Sequence, residues 1–209
     1  MKHIHTIIFD FDGTLADCKQ LHQRAFRNAL ASVCPEADYT DEEIEGRPTR
    51  EKIRILHSKG YEFNGDKLNQ LKQAETQAHL EKYIVFNVRL FDILHDMAAS
   101  YNMCIASNAT DLFVNRSLEI LQIKHLFKKI NTATDFPAKP DTTSFEDCMS
   151  YTGSNYMNTL IVEDSPVGIQ CATATGCQVL EVSNQLDTIN KLNKLIKLPW
   201  PLPTTQEHP

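Results

Sequence analysis

The chain has 209 residues, 42% of them hydrophobic and 23% charged. That mixture builds a buried core without disulfide or metal staples and excludes a wholly disordered chain. The formal net charge of −6 excludes the broad basic footprint of a nucleic-acid binder, so an anionic ligand would have to be met by a few local lysines and arginines or by a cation.

Ile4 to Phe9 is a short apolar run closed by Asp10, which predicts a buried strand of a parallel sheet. Asp12-Gly13-Thr14 is a turn. Leu21, Ala25, Phe26, Ala29, Leu30 and Val33 then recur at helical spacing. Thr40 to Glu43 spells a capping box that starts a further helix, and Gly46 to Thr49 breaks it. A helix through Ile53 and Leu56 stops at Gly60, and Asp66 to Lys82 reads as a long polar amphipathic helix. Beyond Asn87 the pattern changes. Leu90, Phe91, Leu94 and Met97 mark a helix, Met103 to Ala106 a strand, and Leu112, Leu118 and Leu121 a helix. A helix over Ser144 to Tyr151 and a strand over Thr159 to Val162 follow. Val167 to Thr175 is helical and closes at Gly176, and Gln178 to Val182 is a last strand.

This alternation predicts an α/β fold, a Rossmann-like parallel sheet flanked by helices. The all-helical stretch interrupts it and reads as an inserted cap. The expected division is a core of residues 1–17 and 88–198, a helical cap of 18–87 and an extended tail at 199–209. There is no internal repeat. The six cysteines form no Cys-x-x-Cys pair or zinc spacing, and their scatter through apolar stretches suits reduced thiols of a cytoplasmic protein. The first apolar run ends too soon for a signal peptide, and no stretch reaches transmembrane length, so no membrane partner is expected. No association helix or patch stands out, which suits a monomer.

Four short polar segments close or follow predicted elements: Asp10 to Thr14, Ser107-Asn108, Lys139-Pro140 and Glu163-Asp164-Ser165. In an open parallel sheet, ligands bind beyond the carboxyl ends of the strands, so topology predicts that these segments meet. If they do, Asp10, Asp12, Glu163 and Asp164 crowd one pocket, and their mutual repulsion calls for a cation. Oxygen ligands of this kind suit Mg²⁺, while Lys139 adds positive charge and Ser107 a hydroxyl donor. Together they form a site for phosphoryl transfer, in which charge neutralisation and positioning do most of the catalysis.

Asp-x-Asp-Gly-Thr after an apolar strand resembles the first motif of the haloacid dehalogenase-like (HAD) superfamily. Ser107 after Cys104-Ile105-Ala106 is similar to its second motif, Lys139-Pro140 to its third, and Glu163 to Ile169 to its fourth, in the same order. The resemblance spans roughly Thr6 to Val182. It implies Asp10 as nucleophile and metal ligand, and Asp12 as general acid/base that also binds metal through its backbone carbonyl. Asp164 would be a further ligand of Mg²⁺, with Glu163 in support. Ser107, Asn108 and Lys139 would hold phosphoryl oxygens. Members that cleave carbon–halogen bonds lack an Asp at the position of Asp12, so its presence implies phosphoester chemistry. The inserted helices resemble the small cap of the β-phosphoglucomutase-like branch. His22-Gln23-Arg24-Ala25-Phe26 and Gly46-Arg47-Pro48-Thr49-Arg50 are similar to cap segments there, which makes His22, Arg47 and Arg50 candidate substrate contacts. After Lys139-Pro140 the sequence departs from the branch, with Thr142 and Thr143 in place of Pro and Asp; Thr143 can still cap a helix.

Each residue also has a plainer reading. Asp12 suits a turn and Ser107 a helix N-cap; Lys139 suits a solvated loop, as the Lys128-Lys129 pair suits solvated surface. Asp17 reads as a helix cap, His22 as packing, and Arg47 and Arg50 as a surface pair. The expected function is Mg²⁺-dependent hydrolysis of a small phosphorylated metabolite, a sugar phosphate first, through an aspartyl-phosphate on Asp10. A phosphomutase using the same chemistry and a non-catalytic phospholigand binder are the alternatives.

Overall fold

The computed structural model describes residues 4–44 and 47–197, so Gly46 and the tail expected at 199–209 lie outside it. Five strands form one sheet: β1 (Thr6–Phe9), β2 (Asn102–Ser107), β3 (Lys129–Thr132), β4 (Thr159–Glu163) and β5 (Gln178–Glu181). Their order across the sheet is β3-β2-β1-β4-β5, and every neighbouring pair is parallel. The central strand β1 is buried along its whole length, which is why it reads as a continuous apolar run and not as an alternation.

On one face of the sheet Ile8, Cys104 and Ile161 pack against Phe145 and Cys148 of α7 (Thr143–Tyr151) and Cys171 of α8 (Pro166–Ala174). Phe9 points the opposite way from Ile8 and meets Phe127 edge-on, ring centroids 6.0 Å apart. Each fully buried side chain of this size contributes roughly 1.5–3 kcal/mol. Register does the rest. Phe9 lies opposite Ile105 on β2 and Val162 on β4, so Asp10 emerges level with Glu163 at the same end of the sheet.

The described residues form two compact units. One holds the sheet and runs up to Asp17 and again from Val85; the other is Cys18–Ile84. Residues 85–87, grouped with the helices in the sequence reading, therefore belong with the sheet. The second unit is built from α1 (Lys19–Val33), α2 (Asp41–Ile44), α3 (Thr49–Ser58) and α4 (Gly65–Tyr83). Phe26, Leu30, Ile44, Leu56 and Leu68 share its core. Thr40 donates its main-chain N–H to Glu43 Oε2 at 2.8 Å, one arm of the capping box. The buried stripe of α4 is Leu68, Lys72, Thr76 and Leu80, polar at its centre.

The remaining helices of the sheet unit are α5 (Val88–Ala98), α6 (Asp111–Ile120) and α9 (Gln185–Lys197). β3 and α9 have no counterpart in the sequence reading. β3 is Lys-Ile-Asn-Thr at the sheet edge, too short and polar to stand out as an apolar run. Lys129 on it is not simply solvated surface: it pairs with Asp147 at 3.3 Å and lies over the Tyr151 ring. α9 buries Ile189, Leu192 and Leu195.

Two capping expectations are corrected as well. Asp17 does not cap α1, whose N-cap position is Cys18; its Oδ1 accepts the Gln185 N–H at the start of α9, at 3.0 Å. Thr143 is the first residue inside α7, and Asp141 Oδ1 accepts its N–H at 2.9 Å. All six cysteines are free thiols, and among the described residues no helix is long and apolar enough to cross a membrane.

Candidate active site

Asp10 leaves the end of β1 at the place where the sheet order turns from β2 on one side to β4 on the other. Its main-chain N–H still donates to the Val162 carbonyl at 2.9 Å, so the ladder fixes its backbone. The chain then closes on itself. Leu15 and Ala16 donate to the Phe11 carbonyl at 2.9 and 3.1 Å, and Gly13 donates to the Ala16 carbonyl at 2.7 Å. Gly13 has φ +93°, and a Cβ on it would overlap the Asp164 carboxylate. The glycine thus serves both the turn and the approach of a second carboxylate. Thr14, buried beside it, donates its hydroxyl to Asp164 Oδ1 at 3.4 Å.

Lys139 joins the two strand ends. Its ammonium donates to Asp10 Oδ1 and to Glu163 Oε1, each at 2.5 Å, with its side chain only 2% exposed. It is not a solvated loop lysine. Asn108 holds the loop behind it, its Oδ1 accepting the Lys139 main-chain N–H at 2.8 Å. Glu163 Oε2 accepts from the amides of Asp164 and Ser165 and from the Ser165 hydroxyl. Gly168, in the first turn of α8, leaves room for that carboxylate, since a Cβ there would overlap it. Ser107 ends β2; its Oγ accepts the Ala109 N–H at 3.1 Å, which leaves its O–H to donate.

The electrostatics follow from this crowding. Burial, together with the charges of Glu163 and Asp164, holds the Asp10 carboxyl well above the usual carboxylate range despite Lys139. Burial, then Glu163 and Asp12, pushes Asp164 up to about 6. Burial alone would discharge Lys139, but Asp10 and Glu163 outweigh it and hold the ammonium above its ordinary value. The site has more negative charge than one lysine offsets.

The donor set fits a hard divalent cation. Asp10, Glu163 and Asp164 can each offer an oxygen with all three within 4.8 Å of one another. Glu163 is already engaged through both oxygens, so Asp10 and Asp164 are the two left to ligate. Few carboxylates and oxygen-only donors match Mg²⁺ better than zinc or copper.

The structure therefore brings Asp10, Lys139, Glu163 and Asp164 into one network, with Asp12 near enough for its charge to act on Asp164 and Asn108 behind the lysine. Ser107 stands at the end of β2 in the same unit, and His22, Arg47 and Arg50 lie in the helical unit. His22 Nδ1 on α1 is 3.2 Å from Lys72 Nζ of α4. Arg47 donates Nε to the Glu43 carbonyl at 3.0 Å and pairs with Glu51, while Arg50 is exposed in the first turn of α3. Thr14 and Gly168 were in view as motif letters without a role. Their signal was spacing from Asp12 and Glu163, which only the fold converts into contact.

Residues 7–182 match the model of the haloacid dehalogenase-like hydrolase family, and the chain belongs to that family. Among curated relatives it is 22% identical to the fructose-1-phosphate phosphatase YqaB of Escherichia coli K12 over 182 residues, 84% of this chain and 95% of that one. Its fold matches β-phosphoglucomutase from Clostridium difficile with a TM-score of 0.70 at 20% identity, covering 93% of this chain and 100% of the other. It matches the HAD-hydrolase YfnB from Bacillus subtilis, bound to magnesium, with a TM-score of 0.69 at 18% identity, covering 94% and 100%.

Proposed function

We propose that this protein hydrolyses a small phosphate monoester, a sugar phosphate first, with Mg²⁺ and through an aspartyl-phosphate on Asp10. The observation that carries the reading is Lys139, buried and bridging Asp10 to Glu163 beside Asp164. A carboxylate nucleophile cannot approach a phosphate dianion unless positive charge is fixed next to both, and Lys139 is fixed by Glu163 and by Asn108. Family membership and the activity of the Escherichia coli relative support the same class of reaction.

Asp10 attacks phosphorus, and the bond from phosphorus to the ester oxygen breaks. Asp12 gives its proton to that leaving oxygen, then as a carboxylate takes a proton from water, which attacks the phosphorus of the aspartyl-phosphate and frees Asp10 and inorganic phosphate. Ser107 and Lys139 donate to the phosphoryl oxygens throughout. Asp10 and Asp164, with the main-chain carbonyl of Asp12, would hold Mg²⁺, which supplies charge neutralisation for the nucleophile and the phosphoryl group. His22, Arg47 and Arg50 of the helical unit are candidate substrate contacts.

The test is phosphate release from sugar phosphates, nucleoside monophosphates and an aryl phosphate, with Mg²⁺ and with EDTA. Release that needs Mg²⁺ and disappears in Asp10→Asn is the expected result. No release from any compound would remove the hydrolase reading in favour of phosphomutase or ligand binding.

A further inference from the structure

Gln185 opens α9, a helix that carries no motif residue. Its polar groups reach both segments through which the chain leaves and re-enters the sheet unit. Its main-chain N–H donates to Asp17 Oδ1 at 3.0 Å, its Nε2 donates to the Leu15 carbonyl at 2.5 Å, and its Oε1 accepts from Asn87 Nδ2 at 3.0 Å. Leu15 and Asp17 lie on the outgoing segment, directly after the turn that presents Asp12. Asn87 lies on the returning one, where its Oδ1 caps α5 by accepting from Arg89 and Leu90. A carboxylate at the first N–H of a helix is itself favourable, so Asp17 reinforces the anchor.

We propose that Gln185 is a positioning residue for Asp12. The turn from Asp12 to Ala16 is fixed upstream by the β1 ladder, which ends at Asp10. Its own hydrogen bonds give it shape, and the Thr14 hydroxyl reaches Asp164 from its middle at 3.4 Å. Gln185 supplies a downstream anchor, tying Leu15 and Asp17 to α9 and, through Asn87, to α5. Without it the downstream end of the turn loses its hydrogen bonds to α9. A reacting group misplaced by about 1 Å loses on the order of 100-fold in rate. The inference rests on the reading of Asp12 as general acid, and it has a signature that a stability role lacks: the loss must grow as the leaving group needs its proton more.

Two variants test it. Gln185→Leu keeps the side chain's bulk and removes its polar atoms. Asn87→Asp keeps the acceptor that caps α5 and removes the amide that donates to Gln185. Each is compared with the parent for kcat/KM on nitrophenyl phosphate, phenyl phosphate and a hexose phosphate, after circular dichroism shows native folding. The hexose phosphate should fall about 10-fold, part of the roughly 10²–10⁴ that a positioned acid contributes, while nitrophenyl phosphate stays within about 2-fold. Equal losses on all three compounds, or none, would overturn the proposal. If Gln185→Leu does not fold, Asn87→Asp decides the matter alone. A parent inactive on all three compounds is a different failure: it removes the hydrolase reading on which the proposal rests, and the proposal with it.

Discussion

Lys139 and Lys59 each hold carboxylate oxygens, and they do so in opposite settings. Lys139 is buried at the end of the sheet, 2.5 Å from both Asp10 and Glu163. Lys59 lies at the end of α3 in the helical unit, 2.9 and 3.0 Å from the two oxygens of Glu43, with about a third of its side chain exposed. Both ammonium groups are held above their ordinary value, Lys139 against the cost of burial and Lys59 chiefly by its hydrogen bond to Glu43. Contact geometry alone therefore does not tell a working charge from a decorative one. What differs is the environment. Water can replace either partner of the Lys59 pair, and nothing can replace Lys139.

The sharpest way to break the comparison is Lys139→Met. It leaves two buried carboxylates facing each other, so it should cost about 3–5 kcal/mol of stability and lower turnover on the order of 100-fold or more. Chemical denaturation and phosphate release measure the two. A smaller disturbance reaches Lys139 through its partner. Gly168→Ala puts a Cβ where the Glu163 carboxylate sits and should lower kcat by about 10-fold or more, although alanine in a helix is ordinarily stabilising by roughly 0.5–1 kcal/mol. Adding Glu163→Asp, which withdraws the carboxylate by one methylene, should restore part of that loss. No recovery in the double variant would mean that Gly168 does not act through Glu163.

The metal sharpens the comparison next. Burial pushes Asp164 up to about 6 from an ordinary value of 3.8, so the folded protein should bind more protons than the unfolded chain between those values. Stability without metal should fall as pH rises through that window. Mg²⁺ requires the ionised carboxylates, so the rise in melting temperature that it causes should be larger at pH 7 than at pH 5. An increment that is equal at both pH values, or larger at pH 5, counts against Asp164 as ligand. The smallest effect belongs to the exposed pair: Lys59→Ala should move the melting temperature by no more than about 2 °C and leave turnover alone.

The core strands and the four polar segments were legible because each segment follows a buried apolar run or a turn signal, and topology then sends strand ends to one crevice. Ile7 to Phe9 and Leu160 to Val162 are unbroken apolar runs. β3 was not legible, because an edge strand of Lys-Ile-Asn-Thr needs no continuous apolar run. The partner of Lys139 was hidden for a different reason. Glu163 adjoins Asp164 in sequence and reads as one acidic pair, whereas strand geometry turns one carboxylate toward the lysine and the loop amides and the other toward Thr14. Asp17 went to α9 instead of α1 because the fold offers it an unpaired N–H from 168 residues away in sequence, a distance that no local rule spans.

The central strand of the sheet is also the first to leave the ribosome. β1 has no partner until Asn102 to Ile105 of β2 and then Thr159 to Val162 of β4 have been made. Every residue of the helical unit and its core is available long before that. Loops that long are entropically costly to close, so assembly should begin with local helical contacts while the apolar segment that ends at Asp10 waits unpaired. The nascent chain would then be most prone to aggregate between completion of α4 and completion of β2.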